Sequence, residues 1–296
     1  MSLLERLQKV TSVKEADILS ESKFFSEKDI IPTRVPLINM ALSGEFDGGL
    51  TPGVTTIAGP SKHFKTGFAM IMAQAYLDKH KDAVLVYLDS EFGAAGTSYF
   101  IANNIDPSRV LHVPITNMEV LKHEVAMQMK EIKRGDHVVF ILDSIGNLAS
   151  LKELDDAVEG KTAADFTKAK VIRSFFRMFT AEFTVKNIPF INIAHSYTEI
   201  GMYPKEKLAG GGGLMYASDN VWIISRAQEK DGDEITGYKF TINAEKSRYV
   251  KEKSKFPIEV SFDGGVNKYS GLLDLALEFG HAAKPKAGWY ALVDDK

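Results

Sequence analysis

The stretch from Thr55 to Thr66 constrains the fold of this chain more than any other. It reads T-T-I-A-G-P-S-K-H-F-K-T, and apolar residues at helical spacing follow it from Phe68 to Tyr76. The end of a strand, a loop and a helix, in this order, form the context of a Walker A phosphate-binding loop. Loop amides and a helix N-terminus bind polyphosphate well, so the pattern predicts a nucleotide site.

The predicted phosphate loop comprises Gly59, Pro60, Ser61, Lys62, His63, Phe64, Lys65 and Thr66. Within it, Lys65 would reach the β- and γ-phosphates, and the Thr66 hydroxyl would ligate Mg²⁺. Phe64 departs from the pattern, which requires Gly at this position. Other parts of a nucleotide site are therefore needed before the motif can be accepted.

The composition is that of an ordinary globular protein. The 296 residues, of which 45% are hydrophobic, can form one large domain or two ordinary ones. The absence of Cys excludes disulfides and thiolate metal sites, and it fits a reducing compartment such as the cytoplasm. We expect no signal peptide and no membrane span, because no apolar run approaches about 18 residues. A net charge of −3 leaves any nucleic-acid binding to local basic patches.

Two unbroken apolar runs, 83–88 and 137–142, predict strands of a parallel sheet that is covered on both faces. The second run ends at Asp143, which is the pattern of a Walker B motif. Asp143 would hold Mg²⁺, usually through a water, opposite Thr66. The coincidence of these strands with a phosphate loop favours a real nucleotide site.

The first of these runs ends in Asp89-Ser90-Glu91. An α/β sheet binds its ligand at the carboxyl ends of its strands, so Glu91 is a candidate for orienting and deprotonating an attacking water. The alternative is a helix N-cap by Asp89 or Ser90, with Glu91 in the first turn. Tyr99 follows on a predicted helix, where the residues alone favour a place in the core over stacking on adenine.

Two later segments predict mobile loops. Residues 146–165 are polar and charged, and a loop of nearly twenty residues with four consecutive glycines follows a predicted strand at 188–194. Between the two, 169–183 reads as a Phe-rich helix whose aromatic stripe faces the core. His195 stands at the end of the strand, where it could sense the γ-phosphate or simply be a satisfied strand-end histidine.

Near the C-terminus, 221–224 and 238–243 predict a hairpin, and a basic stretch follows it. Lys251, Lys253 and Lys255 would share one face of an extended chain. This stretch reads either as a solvated edge strand protected by its lysines or as a source of trans phosphate contacts. In the second interpretation, Lys246 and Arg248 reach the γ-phosphate of an adjacent subunit.

The N-terminal segment carries Leu3, Leu4, Leu7 and Val10 at helical spacing. This short stripe predicts either a cap on the main domain or an arm that docks on a neighbouring subunit. The Phe24-Phe25 pair, in a polar linker, needs a pocket in this chain or in the next.

The run A-L-S-G…G-G-L…P-G at 41–53 resembles the entry to a RecA-type ATPase core, and the whole chain resembles RecA/Rad-type strand-exchange recombinases, closest to the branch in T-even-like bacteriophages. By this resemblance, Phe64 is a mark of the phage branch, Glu91 is the catalytic carboxylate, and Tyr99 stacks on adenine. His195 stands where RecA has a γ-phosphate-sensing Gln, which is a departure from the family.

The resemblance also implies that Lys246 and Arg248 are the basic pair that contacts ATP in trans, and that 146–165 and 196–213 are the two DNA-binding loops. Phe24-Phe25 would belong to a subunit-docking segment. The expected fold is α/β, with a RecA-like P-loop ATPase core, a mostly parallel central sheet flanked by helices and antiparallel strands at one edge. We expect a helical arm at 1–30, the core at 31–280 and the start of a truncated C-terminal region at 281–296.

The resulting prediction is an ATP- and Mg²⁺-dependent recombinase that forms helical filaments on single-stranded DNA and exchanges strands with homologous double-stranded DNA. The family implies a phage single-stranded-DNA-binding protein and a loading mediator as partners, and a location in the bacterial host cytoplasm. One alternative is a ring DNA helicase motor on the same core, which usually carries a larger N-terminal domain. The other is a monomeric P-loop small-molecule kinase, which an Arg-rich lid would support.

Overall fold

The computed structural model describes residues 2–13, 16–22, 28–93, 95–161, 167–199 and 205–293. Thirteen strands are present in this part of the chain: β1 Gly53–Ala58, β2 Val84–Asp89, β3 Val110–Pro114, β4 Val138–Asp143, β5 Pro189–Ala194, β6 Ser196–Glu199, β7 Lys205–Leu208, β8 Asn220–Asp231, β9 Glu234–Ser247, β10 Lys255–Ser261, β11 Gly265–Val266, β12 Ala282–Lys286 and β13 Trp289–Leu292. Nine strands form one central sheet, and the other four form two small antiparallel hairpins.

The central sheet has the order β11-β10-β9-β8-β1-β5-β4-β2-β3. The six strands from β8 to β3 pair in parallel, whereas β8 to β11 pair antiparallel at the other edge. This confirms the predicted mostly parallel sheet with antiparallel strands at one edge. The strands β1, β4 and β5 are buried along their whole length, as their unbroken apolar runs indicate.

The α-helices that the structure describes are α1 Leu3–Val10, α2 Pro36–Ser43, α3 Lys65–Lys79, α4 Thr97–Ala102, α5 Met118–Glu131, α6 Leu151–Val158, α7 Thr167–Val185, α8 Gly212–Ala217 and α9 Leu272–Glu278. Apolar cores lie on both faces of the sheet, one beneath α3 and the other beneath α5 and α7. The Phe-rich stripe of α7 is buried in the second core, as predicted. In the described ranges, no helix is long and apolar enough to cross a membrane.

The helix α1 begins at a capping box, in which the Ser2 side chain accepts from the Glu5 N–H and the Glu5 side chain accepts from the Ser2 N–H. None of its residues is buried, so its apolar stripe is open to solvent. The connection to the core is made at Asp29, which binds Lys79 and His80 at the end of α3. Phe24 and Phe25 lie outside the described residues.

The expectation that 146–165 and the Gly-rich segment lack structure is wrong for most of their described residues. Within the first segment, 151–158 form α6, whose N-cap is Ser150. In the second, β6 and β7 form a hairpin, and two of the four glycines lie in α8. These glycines also pack, because a Cβ at Gly213 would lie 2.9 Å from the Arg173 Cβ.

The basic stretch after β9 is also not the predicted extended chain. Lys251 and Lys253 lie in the irregular segment between β9 and β10, and Lys253 has a left-handed φ of 67°. Only Lys255 is in a strand, where it begins β10. The short strand β11 pairs only with Val260 and Ser261 of β10, so Lys255 lies on a part of β10 that forms the edge of the sheet.

Candidate functional site

The predicted site residues meet at one edge of the central sheet. The loop after β1 leads directly into α3, and Asp89 and Asp143 are register partners at the carboxyl ends of β2 and β4. Two contacts join these strand ends: the Ser90 N–H donates to the Asp143 carbonyl at 2.8 Å, and the Ser90 hydroxyl donates to the Ser144 carbonyl at 2.6 Å. The sheet therefore places the phosphate loop beside both acidic strand ends, where an α/β fold binds its ligand.

Thr66 and Asp143 are in direct contact at this edge. The Thr66 hydroxyl donates a hydrogen bond of 2.7 Å to Asp143 Oδ2, and the Tyr87 hydroxyl donates to the same oxygen at 3.2 Å. Burial raises the pKa of Asp143 to about 6, and the charge of Glu91 adds to this rise, while the hydrogen bonds from Thr66 and Tyr87 oppose it. The Asp143 carboxylate is thus a buried group whose pKa stays raised although the charge of Lys65 lowers it.

Lys65 lies at the start of α3 and is almost fully buried. Its Nζ donates to the Pro60 carbonyl at 2.8 Å, across the phosphate loop. Burial lowers the pKa of Lys65, although Glu91 and Asp143 oppose this shift. The amine therefore lies inside the loop, near both carboxylates, where a phosphate can replace the carbonyl as its acceptor.

The phosphate loop contains two non-glycine residues in the left-handed region. Lys62 has a φ of 61° and Phe64 has a φ of 57°. A backbone conformation of this kind costs a non-glycine residue about 1 to 3 kcal/mol, so surrounding contacts must hold it. Ser61 and Lys62 have exposed side chains, and the His63 ring bonds the Ser61 carbonyl through Nδ1 at 2.9 Å.

Asp89 and Glu91 have different roles in the structure. The Asp89 carboxylate is buried, and its Oδ1 accepts from the N–H groups of Glu91 and Phe92 at 2.9 Å. Asp89 therefore caps a turn, and the alternative interpretation as a helix N-cap is wrong because α4 begins only at Thr97. The Glu91 side chain is exposed and accepts from the Ser144 hydroxyl at 3.2 Å.

His195 is half-buried at the end of β5 and reaches the same serine. Its Nε2 lies 3.4 Å from the Ser144 hydroxyl and 3.3 Å from Asn147 Oδ1. Burial lowers the pKa of His195, and the charge of Lys65 adds to this effect. A Cβ at Gly146 would lie 2.4 Å from His195 Cδ2, so only glycine leaves room for the ring there.

Tyr99 lies on α4 and packs against the core beneath α3. Burial raises the pKa of its hydroxyl, and the charge of Asp143 raises it further. The ring is therefore partly in the core, with its hydroxyl within electrostatic reach of the acidic strand ends. Adenine stacking by Tyr99 stays a prediction.

Lys246 and Arg248 lie away from the phosphate loop, at the end of β9 and just after it. The Lys246 Nζ donates to three carbonyls at the C-terminal end of α8, at 2.7 to 3.0 Å, which are those of Met215, Tyr216 and Ser218. Arg248 is 62% exposed and uses its Nε to bind Asp219 at 2.6 Å. Lys246 is thus fully used within its own chain, whereas the two terminal nitrogens of Arg248 bind no partner in the described ranges.

A groove of about 800 Å³ between α7 and α8 was not predicted from the sequence. Arg173 and Arg177 line it one helical turn apart, together with Gly213, Tyr216 and Arg248. In the described part of the chain, Arg173 and Arg177 form no ion pair with an acidic residue. Two like charges at this helical spacing repel each other, so the pair is unfavourable unless an anion binds to it. The i, i+4 arginine pair opposite the Phe stripe was the available signal for this site.

Comparisons with known proteins relate the chain to recombination and repair proteins. Residues 269–296 match the family model described as "Bacteriophage T4, Recombination and repair protein, C-terminal domain". The chain is 48% identical over 289 residues to the "Recombination and repair protein" of Enterobacteria phage T4, a match that covers 98% of this chain and 74% of that relative.

Similarity extends to bacterial proteins named "Protein RecA". The chain is 26% identical over 254 residues to the protein of Chlorobium limicola, covering 84% of this chain and 70% of that relative. It is also 26% identical over 269 residues to the protein of Syntrophus aciditrophicus, covering 88% of this chain and 74% of that relative.

Proposed function

Since the chain belongs to the family of RecA-type recombination and repair proteins that includes the bacteriophage T4 protein, we propose that it is an ATP-dependent DNA strand-exchange recombinase. The observation that carries the proposal is the meeting of Lys65, Thr66 and Asp143 at the carboxyl edge of the sheet. These three residues supply the cation, the hydroxyl and the carboxylate that a P-loop ATPase needs.

The residues of this edge fit a complex of Mg²⁺ with ATP. The Thr66 hydroxyl and the Asp143 carboxylate are hard oxygen ligands of the kind that Mg²⁺ prefers, and they are already adjacent. The raised pKa of Asp143 also indicates a carboxylate that a bound cation would stabilise. When bound, Mg²⁺ would neutralise charge on the phosphates. Lys65, which donates to the Pro60 carbonyl in the structure, would hold the β- and γ-phosphates.

For hydrolysis, Glu91 is the residue that can orient a water. Its carboxylate is exposed and is held on one side by the Ser144 hydroxyl at 3.2 Å. The same hydroxyl lies 3.4 Å from His195 Nε2. A change in the water or the γ-phosphate at Glu91 would thus reach His195 through one serine, and from there the hairpin β6–β7 that begins at Ser196.

Single-stranded DNA would lie in the arginine groove between α7 and α8. Arg173 and Arg177 have no ion-pair partner among the described residues, and guanidinium groups bind phosphate oxygens well. Tyr216 adds an aromatic ring that is 81% exposed and can stack on a base without sequence preference. We keep the segments 146–165 and 196–213 as the proposed DNA-binding loops, and Gly213 of the second segment lines the groove.

In a filament, Arg248 is the better candidate for the contact with ATP of an adjacent subunit. Its terminal nitrogens have no partner among the residues that the structure describes and can reach a phosphate, whereas Lys246 would first have to leave its three carbonyl partners. We extend the proposal to a phage single-stranded-DNA-binding protein and a loading mediator as partners. The protein and these partners would act in the cytoplasm of the bacterial host.

The decisive experiment is a strand-exchange assay between circular single-stranded and homologous linear double-stranded DNA, with and without ATP. We expect exchange only with ATP, ATPase activity that rises on addition of single-stranded DNA, and filaments visible by electron microscopy. Lys65→Ala should abolish exchange while the variant keeps the wild-type circular dichroism spectrum. A monomer whose ATPase ignores DNA, or full exchange by Lys65→Ala, would refute the proposal.

A further inference from the structure

Phe64 occupies a position in the phosphate loop where the motif has glycine, yet the structure holds its ring firmly. The ring stacks on Phe240 with a centroid distance of 5.3 Å and an interplanar angle of 21°. It also meets the edge of Phe68 at 5.3 Å and 85°. Phe240 and Phe68 are buried, so the core fixes both of the rings against which Phe64 packs.

Gly67 is matched to this ring. A Cβ at Gly67 would lie 2.5 Å from Phe64 Cζ and 2.6 Å from both Cε atoms, which is far inside van der Waals contact. Gly67 lies in the first turn of α3 with ordinary helical geometry, so its backbone does not itself require glycine. The space above Gly67 is therefore filled by the Phe64 ring, and the two residues form a complementary pair.

The second left-handed residue of the loop is held by the same part of the sheet. The Lys62 carbonyl accepts a hydrogen bond of 3.2 Å from Arg226 Nη1. The Arg226 guanidinium lies 4.7 Å above the centre of the Tyr238 ring, in a cation–π contact. Tyr238 and Phe240 are two positions apart on β9, with ring centroids 5.9 Å apart, so they act from one face of that strand.

We propose that Phe64 is a positioning residue, which fixes the phosphate loop in its triphosphate-binding conformation by stacking on Phe240 of β9. This inference rests on the proposed function, since it concerns the same ATP site. In P-loops that have glycine here, the left-handed backbone has no steric cost. In this chain, aromatic packing against β9 replaces that freedom, and the conformation of the loop depends on a strand outside it.

A consequence concerns the subunit interface. The strand β9 contacts the phosphate loop through Phe240 and ends at Ser247, next to Lys246 and Arg248. A displacement of the loop would therefore be transmitted along one hydrogen-bonded strand toward the residues proposed to contact the ATP of the next subunit. Glycine at position 64 has no ring with which to make this connection.

The test measures the Kd for a fluorescent ATP analogue with Mg²⁺ in the full chain, for Phe64→Gly, Phe240→Leu and the double variant. We expect each single change to raise the Kd about fivefold, as the loss of one aromatic pair implies, and the double variant to match the singles. The proposal would be overturned if the effects of the two substitutions on the binding free energy add up in the double variant, or if the single variants have the wild-type Kd. Phe256→Leu, in the neighbouring strand β10, is the matched control and should lower the melting temperature but leave the Kd unchanged.

A second cycle uses Gly67→Ala, which remains informative if Phe240→Leu does not fold. Gly67→Ala should raise the Kd by a similar factor, because the new methyl group displaces the ring. Adding Gly67→Ala to Phe64→Gly should not raise the Kd further, since the ring is absent. If Gly67→Ala raises the Kd as much in the Phe64→Gly variant as in the wild type, the two residues are not a pair. If the wild-type protein binds no ATP analogue, the proposed function fails. If the wild type binds it and the effects of the substitutions on the Kd are independent of one another, only the role of Phe64 is refuted.

Discussion

Thr66 and Asp143 are 77 positions apart in the chain, and the Thr66 hydroxyl donates a hydrogen bond of 2.7 Å to Asp143 Oδ2. This contact joins the two halves of the candidate site, because Thr66 lies in the first turn of α3 and Asp143 ends β4. It also places a carboxylate in a buried position where ionisation is unfavourable. An ionised Asp143 therefore favours the binding of Mg²⁺ but lowers the stability of the free protein.

Asp143→Asn should stabilise the free protein and weaken its binding of nucleotide. The shift of the Asp143 pKa from 3.8 to about 6 corresponds to about 3 kcal/mol of destabilisation by the ionised group above pH 6. An amide avoids this ionisation, so we expect the free energy of unfolding at pH 8 to rise by about 1 to 3 kcal/mol. Urea unfolding in EDTA measures this, and the Kd for ATP with Mg²⁺ should rise at least about tenfold.

The sign of the pH dependence follows from the direction of the shift. Because the folded-state pKa is raised, wild-type stability from this group is lost as the pH rises from about 4 to about 6. The advantage of Asp143→Asn should therefore be largest above pH 6 and should disappear below about pH 4. An advantage that stays constant from pH 4 to pH 8 would show that ionisation of Asp143 is not its cause.

The strands that position the site could be predicted because their sequences are unbroken apolar runs. The carboxyl ends of β2 and β4 were located from 83–88 and 137–142 alone, and Asp143 followed from them. The prediction of a loop at 151–158 is wrong because the three apolar residues of this helix lie among acidic residues. Such a composition is also common in solvated loops. The contact of this helix with α5, in which the Leu151 N–H donates to Glu119 at 2.9 Å, becomes visible only in three dimensions.

The contacts that refine the site could not be predicted, because they join side chains from distant segments. Nothing in the sequence indicates that Gly146 leaves space for His195, or that Phe240 stacks on Phe64. No function of Arg173 and Arg177 is predicted from the sequence. Their proposed role depends on α8, which brings Gly213 and Tyr216 to the opposite side of the groove.

Glu91→Gln should separate nucleotide binding from hydrolysis. The amide keeps the size of the side chain and can still accept from the Ser144 hydroxyl, but it cannot take a proton from water. We expect the Kd for ATP to change less than about twofold and single-turnover hydrolysis to slow about 100-fold or more. An equal loss in Kd and no change in the single-turnover rate would assign Glu91 to binding instead.

Arg173→Gln and Arg177→Gln should each weaken the binding of single-stranded DNA through the loss of one phosphate contact. For each variant, the slope of log K against log salt concentration should fall in magnitude by about 0.7. Fluorescence anisotropy with a labelled oligonucleotide of mixed sequence, between 50 and 300 mM salt, measures this slope. Lys230→Gln, near the tip of the β8–β9 hairpin, removes the same charge away from the groove and should leave the slope unchanged.

Gly146→Ala should disconnect the nucleotide site from DNA without damaging either. A methyl group at this position would lie 2.4 Å from His195 Cδ2, so the imidazole has to leave its place beside Ser144 and Asn147. The phosphate loop makes no contact with this methyl group, and we therefore expect the Kd for ATP to remain within about twofold of the wild-type value. The stimulation of ATPase activity by single-stranded DNA should be lost.

Gly96→Ala is the matched control for this change. Gly96 also lacks a positive φ, and a Cβ there would meet no atom within 4 Å, so its ATPase should respond to DNA as in the wild type. Full stimulation of Gly146→Ala by DNA would mean that the signal bypasses His195. Loss of stimulation in Gly146→Ala alone would assign the coupling to the contact between the Ser144 hydroxyl and the His195 ring, since that contact links Glu91 to the start of the β6–β7 hairpin.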